Sequence, residues 1–338
     1  MPTPAVPMRD VVIKHPSRAQ ARAFASTAFG RYDVHDGGGR SVDISLTTAC
    51  SIFCDPNDRN PQAMADFLGT LPHGDEMNLL SVLLVQRSSE MSVQCGSSNA
   101  LSCYFPDEDL IVTAGDDFTN PSDNATRAYV VAHEYGHHLA NHRNNSPFAN
   151  PAIDWGTKYW ASYEGVCPGV RAGRYFPGNQ GSHYYQNPGE AFAESFARNR
   201  FPTDPVPWLW PDFPAPGANA FAALRTDAFQ PWNGPTADTR RGRFPRKQKK
   251  KRRTRVNQKL KRFVTPRDGD LTLRLSGPDR ANLDLVLRTP DGHILDQSAG
   301  GGSKEQVHFR ICGERNVQAV VRRHGRKRTG FKVAGFLP

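Results

Sequence analysis

Two short stretches of this chain place metal-binding and proton-transferring side chains at regular spacing. The segment Tyr129-Val-Val-Ala-His133-Glu134-Tyr-Gly-His137-His138-Leu carries histidines four apart, with a glutamate directly after the first. On a helix, positions four apart share a face, so both imidazoles can address one ion. Glu134, beside the first of them, can reach a metal-activated water and take its proton. Farther on, Asn187-Pro-Gly-Glu190-Ala-Phe-Ala-Glu194-Ser-Phe reads as a helix start followed by two carboxylates four apart. A catalytic zinc takes three protein ligands and keeps one position open. Glu190, in the first turn, is placed to be the third. Glu194, one turn later, is placed to hydrogen-bond a ligating histidine and fix its tautomer. The candidate Zn2+ ligands are therefore His133, His137 and Glu190, and the candidate catalytic base is Glu134. The competing readings are packed histidines on an amphipathic helix and two solvated surface glutamates. The Ala-Phe-Ala between the carboxylates speaks for a partly buried face. Asp154 is the rival third ligand, and His73 with Glu76, in a turn-like stretch, read as structural.

Together the H-E-x-x-H helix and the N-P-x-E-A-F-A-E helix resemble the gluzincin group of zinc metallopeptidases. Among secreted bacterial members, the catalytic domain of anthrax lethal factor has a similar third-ligand helix. The resemblance covers residues 125–200. It implies His133, His137 and Glu190 as ligands and Glu134 as base, with a Tyr or His stabilising the tetrahedral oxyanion. His183, Tyr184 and Tyr185 lie just before the ligand helix, and Tyr185 is assigned that role. A metzincin would carry Gly at 140 and His at 143, where this chain has Ala140 and Arg143.

The elements that must position these residues follow from pattern. Helices are expected from Asn124 to His142 and from Pro188 to Arg198, and earlier over Ser17–Phe29 and Ala63–Leu71. Leu79–Gln86 reads as a buried strand. Met91–Cys95 and Asp109–Thr113 read as strands, with Cys95 and Cys103 bracketing the turn between them. Residues 143–186 form an irregular stretch, and 202–239 combine many prolines with Trp208, Trp210 and Trp232. From Phe263 the pattern turns to period two: Leu271, Leu273, Leu275, then Leu283, Leu285, Leu287. Val307, Phe309, Ile311 follow, then Val317, Ala319, Val321, then Phe331 and Val333. Glycine-bearing turns separate these runs, which describes a small β-sandwich. Its segments Gly269–Gly277 and Asn282–Leu287 with Asp291-Gly292 are similar to the pre-peptidase C-terminal domain of secreted bacterial proteases. The expected architecture is an α+β zincin-like metallopeptidase domain over 1–235, a basic linker over 236–262 and a jelly-roll-like all-β sandwich over 263–338.

The 338 residues suffice for two domains. Of 43 Lys and Arg, 14 lie between 240 and 262, a stretch without an acid, so the remaining 29 basic side chains face 33 acidic ones. The net charge of +10 thus belongs to one segment, which can contact a polyanion through charge alone. No apolar run reaches the length of a membrane span. The six cysteines, with Cys50–Cys54 and Cys95–Cys103 as local bridges, fit an oxidising compartment. A secreted location is expected, although no signal peptide is visible in this sequence. The leading expectation is a zinc metalloendopeptidase acting on a protein or peptide substrate. The alternative is a polyanion- or surface-binding secreted protein with a non-catalytic zinc site.

Overall fold

The computed structural model describes residues 9–46, 61–85, 88–97, 100–114, 127–202, 207–246, 257–325 and 327–338. The chain divides into two compact units, Met1–Trp232 and Asn233–Pro338. The first runs β1 (Arg9–Val12), α1 (Arg18–Ala25), β2 (Gly30–Asp33), β3 (Ser41–Leu46), α2 (Pro61–Gly69), β4 (Ser81–Val85), α3 (Ser88–Cys95), β5 (Ala100–Phe105), β6 (Leu110–Ala114), α4 (Arg127–Asn141), α5 (Lys158–Tyr163), α6 (Val166–Arg171), α7 (Pro188–Arg200) and α8 (Ala218–Phe229).

Its strands form one sheet in the order β1-β5-β6-β4-β3-β2. β3, β4 and β6 are parallel, β5 is antiparallel to β6, and β1 lies parallel to β5 at the rim. β5 and β6 are buried along their whole length, and such two-sided burial makes a strand read as a continuous apolar run. Val82, Leu84, Tyr104 and Ile111 pack in the core shared with α4 and α7. Leu83, Val85, Phe105 and Val112 point the other way, against Phe24 of α1 and Met91 of α3.

α4 is interior on every side, with each residue from Tyr129 to Ala140 buried. It can lie so close to α7 because position 136 is glycine: a Cβ there would stand 2.8 Å from the Ala193 Cα and 3.0 Å from the Phe196 Cβ. The far end of α4 is tied down by Arg143, which donates to Glu76 Oε2 at 2.8 Å and to the Asp227 carbonyl at 2.8 Å. Tyr135 Oη donates to the other Glu76 oxygen at 2.9 Å. Glu76 and its neighbour His73 are buried structural groups.

The second unit runs β7 (Thr236–Phe244), β8 (Asn257–Val264), β9 (Gly269–Ser276), β10 (Asn282–Arg288), β11 (Ile294–Ser298), β12 (Glu305–Ile311), β13 (Asn316–His324) and β14 (Thr329–Leu337). Two antiparallel four-stranded sheets, β11-β10-β13-β8 and β12-β9-β14-β7, share one core. Leu271, Leu273 and Leu275 of one sheet meet Leu283, Leu285 and Leu287 of the other there, as period-two alternation requires.

Three expectations change. The segment 236–262 is not a linker throughout: β7 pairs along its length with β14 and β8 with β13, and only 247–256 lie outside the described residues. Met91–Cys95 belongs to a helix, in which Met91 and Cys95 are buried and Val93 is 73 % exposed; residues four apart share a helical face, so its alternation was misleading. The irregular stretch 143–186 contains α5 and α6, and 202–239 contains α8. Cys95 and Cys103 do form a disulfide, which joins the end of α3 to β5. Cys50 and Cys54 lie outside the described residues, as does the start expected for α4 at Asn124.

Candidate metal centre

α4 presents His133 and His137 on one face, and the first turn of α7 brings Glu190 against them. Glu190 Oε2 lies 3.3 Å from His133 Nε2 and 3.2 Å from His137 Nε2. Donors about 2.0–2.1 Å from a tetrahedral zinc stand about 3.3 Å from one another, so these separations suit a shared ion. All three side chains are buried, and the three form a group that can hold a metal.

The local sequence explains the placement of Glu190. Asn187 caps α7, its side chain accepting from the Gly189 amide at 3.1 Å, and Pro188 occupies the first helical position. Asn187 Oδ1 also accepts from the Gly178 amide at 3.0 Å, which ties the preceding loop to the helix start. Glu190 then falls in the first turn, where a negative charge is favoured by the helix dipole. Gln180 of that loop donates to Glu190 Oε1 at 2.5 Å. Position 189 must be small, since a Cβ there would lie 2.3 Å from the Ile153 carbonyl oxygen.

Glu194, one turn along α7, puts Oε2 3.4 Å from His133 Nδ1. Its other oxygen accepts from Tyr129 Oη at 2.5 Å and Arg198 Nε at 3.2 Å. This is the arrangement that orients a ligating imidazole from behind. Glu134 is fully buried, and neither carboxylate oxygen has a hydrogen-bond partner among the described residues. An unpartnered buried carboxylate is costly in a closed protein, and a water or cation in front of it removes that cost.

The electrostatics point the same way. Burial pushes the Glu134 carboxyl well above its ordinary range, and Asp10 and Glu190 add to the shift. Burial alone would lower the His133 imidazolium, but Asp10, Glu190 and Glu194 outweigh it and raise the pKa well above its usual value. For His137 burial dominates and lowers the pKa, despite Glu190. Burial also opposes ionisation of Glu190, yet His137 and His133 hold its carboxyl below the normal range. Asp10, Glu134, Glu190 and Glu194 surround the two imidazoles, and the raised pKa values of Asp10 and Glu134 reflect carboxyls crowded together away from water, a crowding that a divalent cation would relieve.

The three residues considered for the oxyanion separate. His183 stacks on Phe176 with ring centroids 3.9 Å apart. Tyr185 packs edge-on against Tyr184 and Trp210. Tyr184 is buried, and its pKa is raised well above 10 by burial and then by the negative charge of Glu190. Of the two adjacent tyrosines in the 3-10 turn Tyr184–Gln186, Tyr184 is buried and Tyr185 is partly exposed. Asp154 is held by Lys14 at 2.6 Å and is not among the grouped ligands.

Two participants had no signal in the sequence. Asp10 of β1 places Oδ2 3.9 Å from His133 Nε2, and Gln180 arrives from an irregular loop. Neither belongs to a spaced motif.

Asp109, His138 and His142 form a second grouping of potential ligands. Its atoms are already engaged: His142 Nε2 meets Asp109 Oδ1 at 2.7 Å, Tyr104 Oη reaches both Asp109 and His138 at 3.0 Å, and His138 Nε2 donates to the Glu76 carbonyl at 2.9 Å. This network fastens α4 to the β5–β6 turn.

No protein-family model matches the chain, and no curated protein matches it in sequence. Among solved structures, it is similar to the pre-peptidase C-terminal domain of a Bacillus anthracis collagenase, at 7 % identity over 29 % of this chain and 87 % of that one, with a TM-score of 0.23. It is also similar to the Yersinia pseudotuberculosis-derived mitogen, at 9 % identity over 31 % and 87 % of the two chains and the same TM-score, 0.23. A third is PliG, a periplasmic inhibitor of g-type lysozyme from Aeromonas hydrophila, at 11 % identity over 32 % and 91 %, again with a TM-score of 0.23. Likenesses of this size carry no argument about function.

Proposed function

We propose that the first unit is a zinc-dependent endopeptidase. The observation that carries this reading is the buried group His133, His137 and Glu190, with Glu190 Oε2 3.3 and 3.2 Å from the two imidazole nitrogens, beside the fully buried carboxylate of Glu134. His and carboxylate donors match the preferences of zinc, and three protein ligands leave a position for chemistry. The ion supplies a Lewis acid there, which acidifies water and polarises a carbonyl.

The chain's own groups do the rest. Glu134 takes the proton of the attacking water and returns it to the leaving amine; a carboxyl raised by burial is suited to both tasks. Tyr184 keeps its proton at working pH and donates from its hydroxyl toward the developing negative charge. Glu194 and Gln180 hold His133 and Glu190 in orientation.

The Cys95–Cys103 disulfide is compatible with an oxidising, extracellular setting. Among the described residues, no helix is long and apolar enough to cross a membrane. The test is casein hydrolysis by the purified chain before chelation, after chelation, and after zinc is restored. Loss and recovery of cleavage support the reading. Cleavage that survives complete removal of the metal refutes it.

A further inference from the structure

A sheet edge offers unpaired backbone groups, and an extended peptide binds there as an added strand. β5 is the strand of this sheet that would form the rim beside the metal centre, but its outer edge is already taken. β1 runs along it in parallel, with Val11 opposite Cys103 and Val12 opposite Tyr104, and the Ile13 amide donates to the Tyr104 carbonyl at 2.9 Å. From this strand Asp10 enters the centre. Its Oδ2 lies 3.9 Å from His133 Nε2, and its Oδ1 is buried without a hydrogen-bond partner. Just beyond β1, Lys14 is latched to Asp154 at 2.6 Å, a pair left partly exposed to solvent.

We propose that residues 9–14 are the protein's own occupant of its substrate track, with the Asp10 carboxylate facing the metal in the position a substrate carbonyl or water needs. This rests on the peptidase reading. The chain is then in a self-blocked state, and cleavage begins when β1 leaves the edge. The strand is four residues long and pairs with one neighbour only, at the rim of the sheet, so few backbone bonds oppose its local opening. Release breaks one short ladder and a partly exposed ion pair, and it withdraws Val12 from the core that it shares with α4 and α7.

The experiment uses the full chain loaded with zinc, as wild type, Asp10→Asn and Ile13→Pro. The first removes the charge that faces the metal. The second removes the amide that donates to Tyr104 and leaves Asp10 unchanged. Two readouts are taken: the rate at which a chelator strips zinc, and casein hydrolysis per bound zinc. The proposal expects both variants to retain zinc, to lose it to the chelator about tenfold faster, and to cleave casein several-fold faster than wild type. Unchanged rates of zinc loss and cleavage in both variants would overturn it. Loss of zinc and activity together in Asp10→Asn would also overturn it, by making Asp10 an essential ligand. Faster zinc loss with no cleavage by any form, wild type included, would instead remove the peptidase reading and the substrate track with it, while Asp10 stayed at the metal.

Discussion

Glu134, Glu190 and Glu194 are three glutamates within a few ångströms of the same imidazoles, and their surroundings give them different work. Glu190 is held below the normal carboxyl range by His137 and His133, which suits it to be a ligand. Glu134 is fully buried and is pushed up by that burial, so it can accept and return a proton. Glu194 is occupied by Tyr129 and Arg198 and stands behind His133. Glu190→Ala is therefore expected to lose zinc, measured by metal analysis of the purified protein. Glu194→Gln should retain it with affinity reduced about 10–100-fold, measured by competition with a chromophoric chelator. The grouping of His133, His137 and Glu190 was legible in the sequence because each motif sits within one helix, where spacing determines direction. Tyr184 was not separable from Tyr185, since a short 3-10 turn and not a helical period decides which ring faces Glu190. Asp10 was illegible because its contact depends on strand pairing across the fold.

The centre exists only while α4 and α7 keep their spacing, and Gly136 sets it. Alanine is the better helix former by about 1 kcal/mol, yet its Cβ would press on the α7 backbone at Ala193. Gly136→Ala is expected to destabilise the unit by about 1–3 kcal/mol through overpacking and to weaken zinc binding, read by urea unfolding and metal titration. Asp109 helps to fix the C-terminal end of α4. Burial works to raise that carboxyl, but His138 and His142 outweigh it and hold it below the ordinary value. A depressed acid contributes stability that is present above its unfolded pKa of about 3.9 and lost as pH falls toward the folded value. Asp109→Asn should cost about 1 kcal/mol at neutral pH, allowing for a side chain that is partly exposed, and the difference from wild type should close below about pH 4. Elements with strong periodicity were the readable ones. β7 was missed because it is an edge strand in which only Phe244 is buried, and charged, exposed edges carry no hydrophobic alternation.

At the scale of the whole molecule, two units with separate cores divide the work. Every residue assigned to the metal centre belongs to the first unit. The second is held by a core of alternating aliphatics from two sheets. Leu285→Ala should therefore cost that unit about 2–5 kcal/mol while leaving zinc content unchanged, as followed by thermal unfolding alongside metal analysis. The period-two runs made this unit legible from Phe263 onward, but the boundary fell too late, because the basic composition of 240–262 hid two paired strands. The central claim is that the first unit cleaves peptide bonds with Glu134 as its base. It is tested most directly by measuring casein hydrolysis and bound zinc together in wild type and Glu134→Gln. Equal zinc in both, with hydrolysis reduced about 10²–10⁴-fold in the variant, is the predicted result. Hydrolysis by zinc-loaded Glu134→Gln at the wild-type rate would contradict the account.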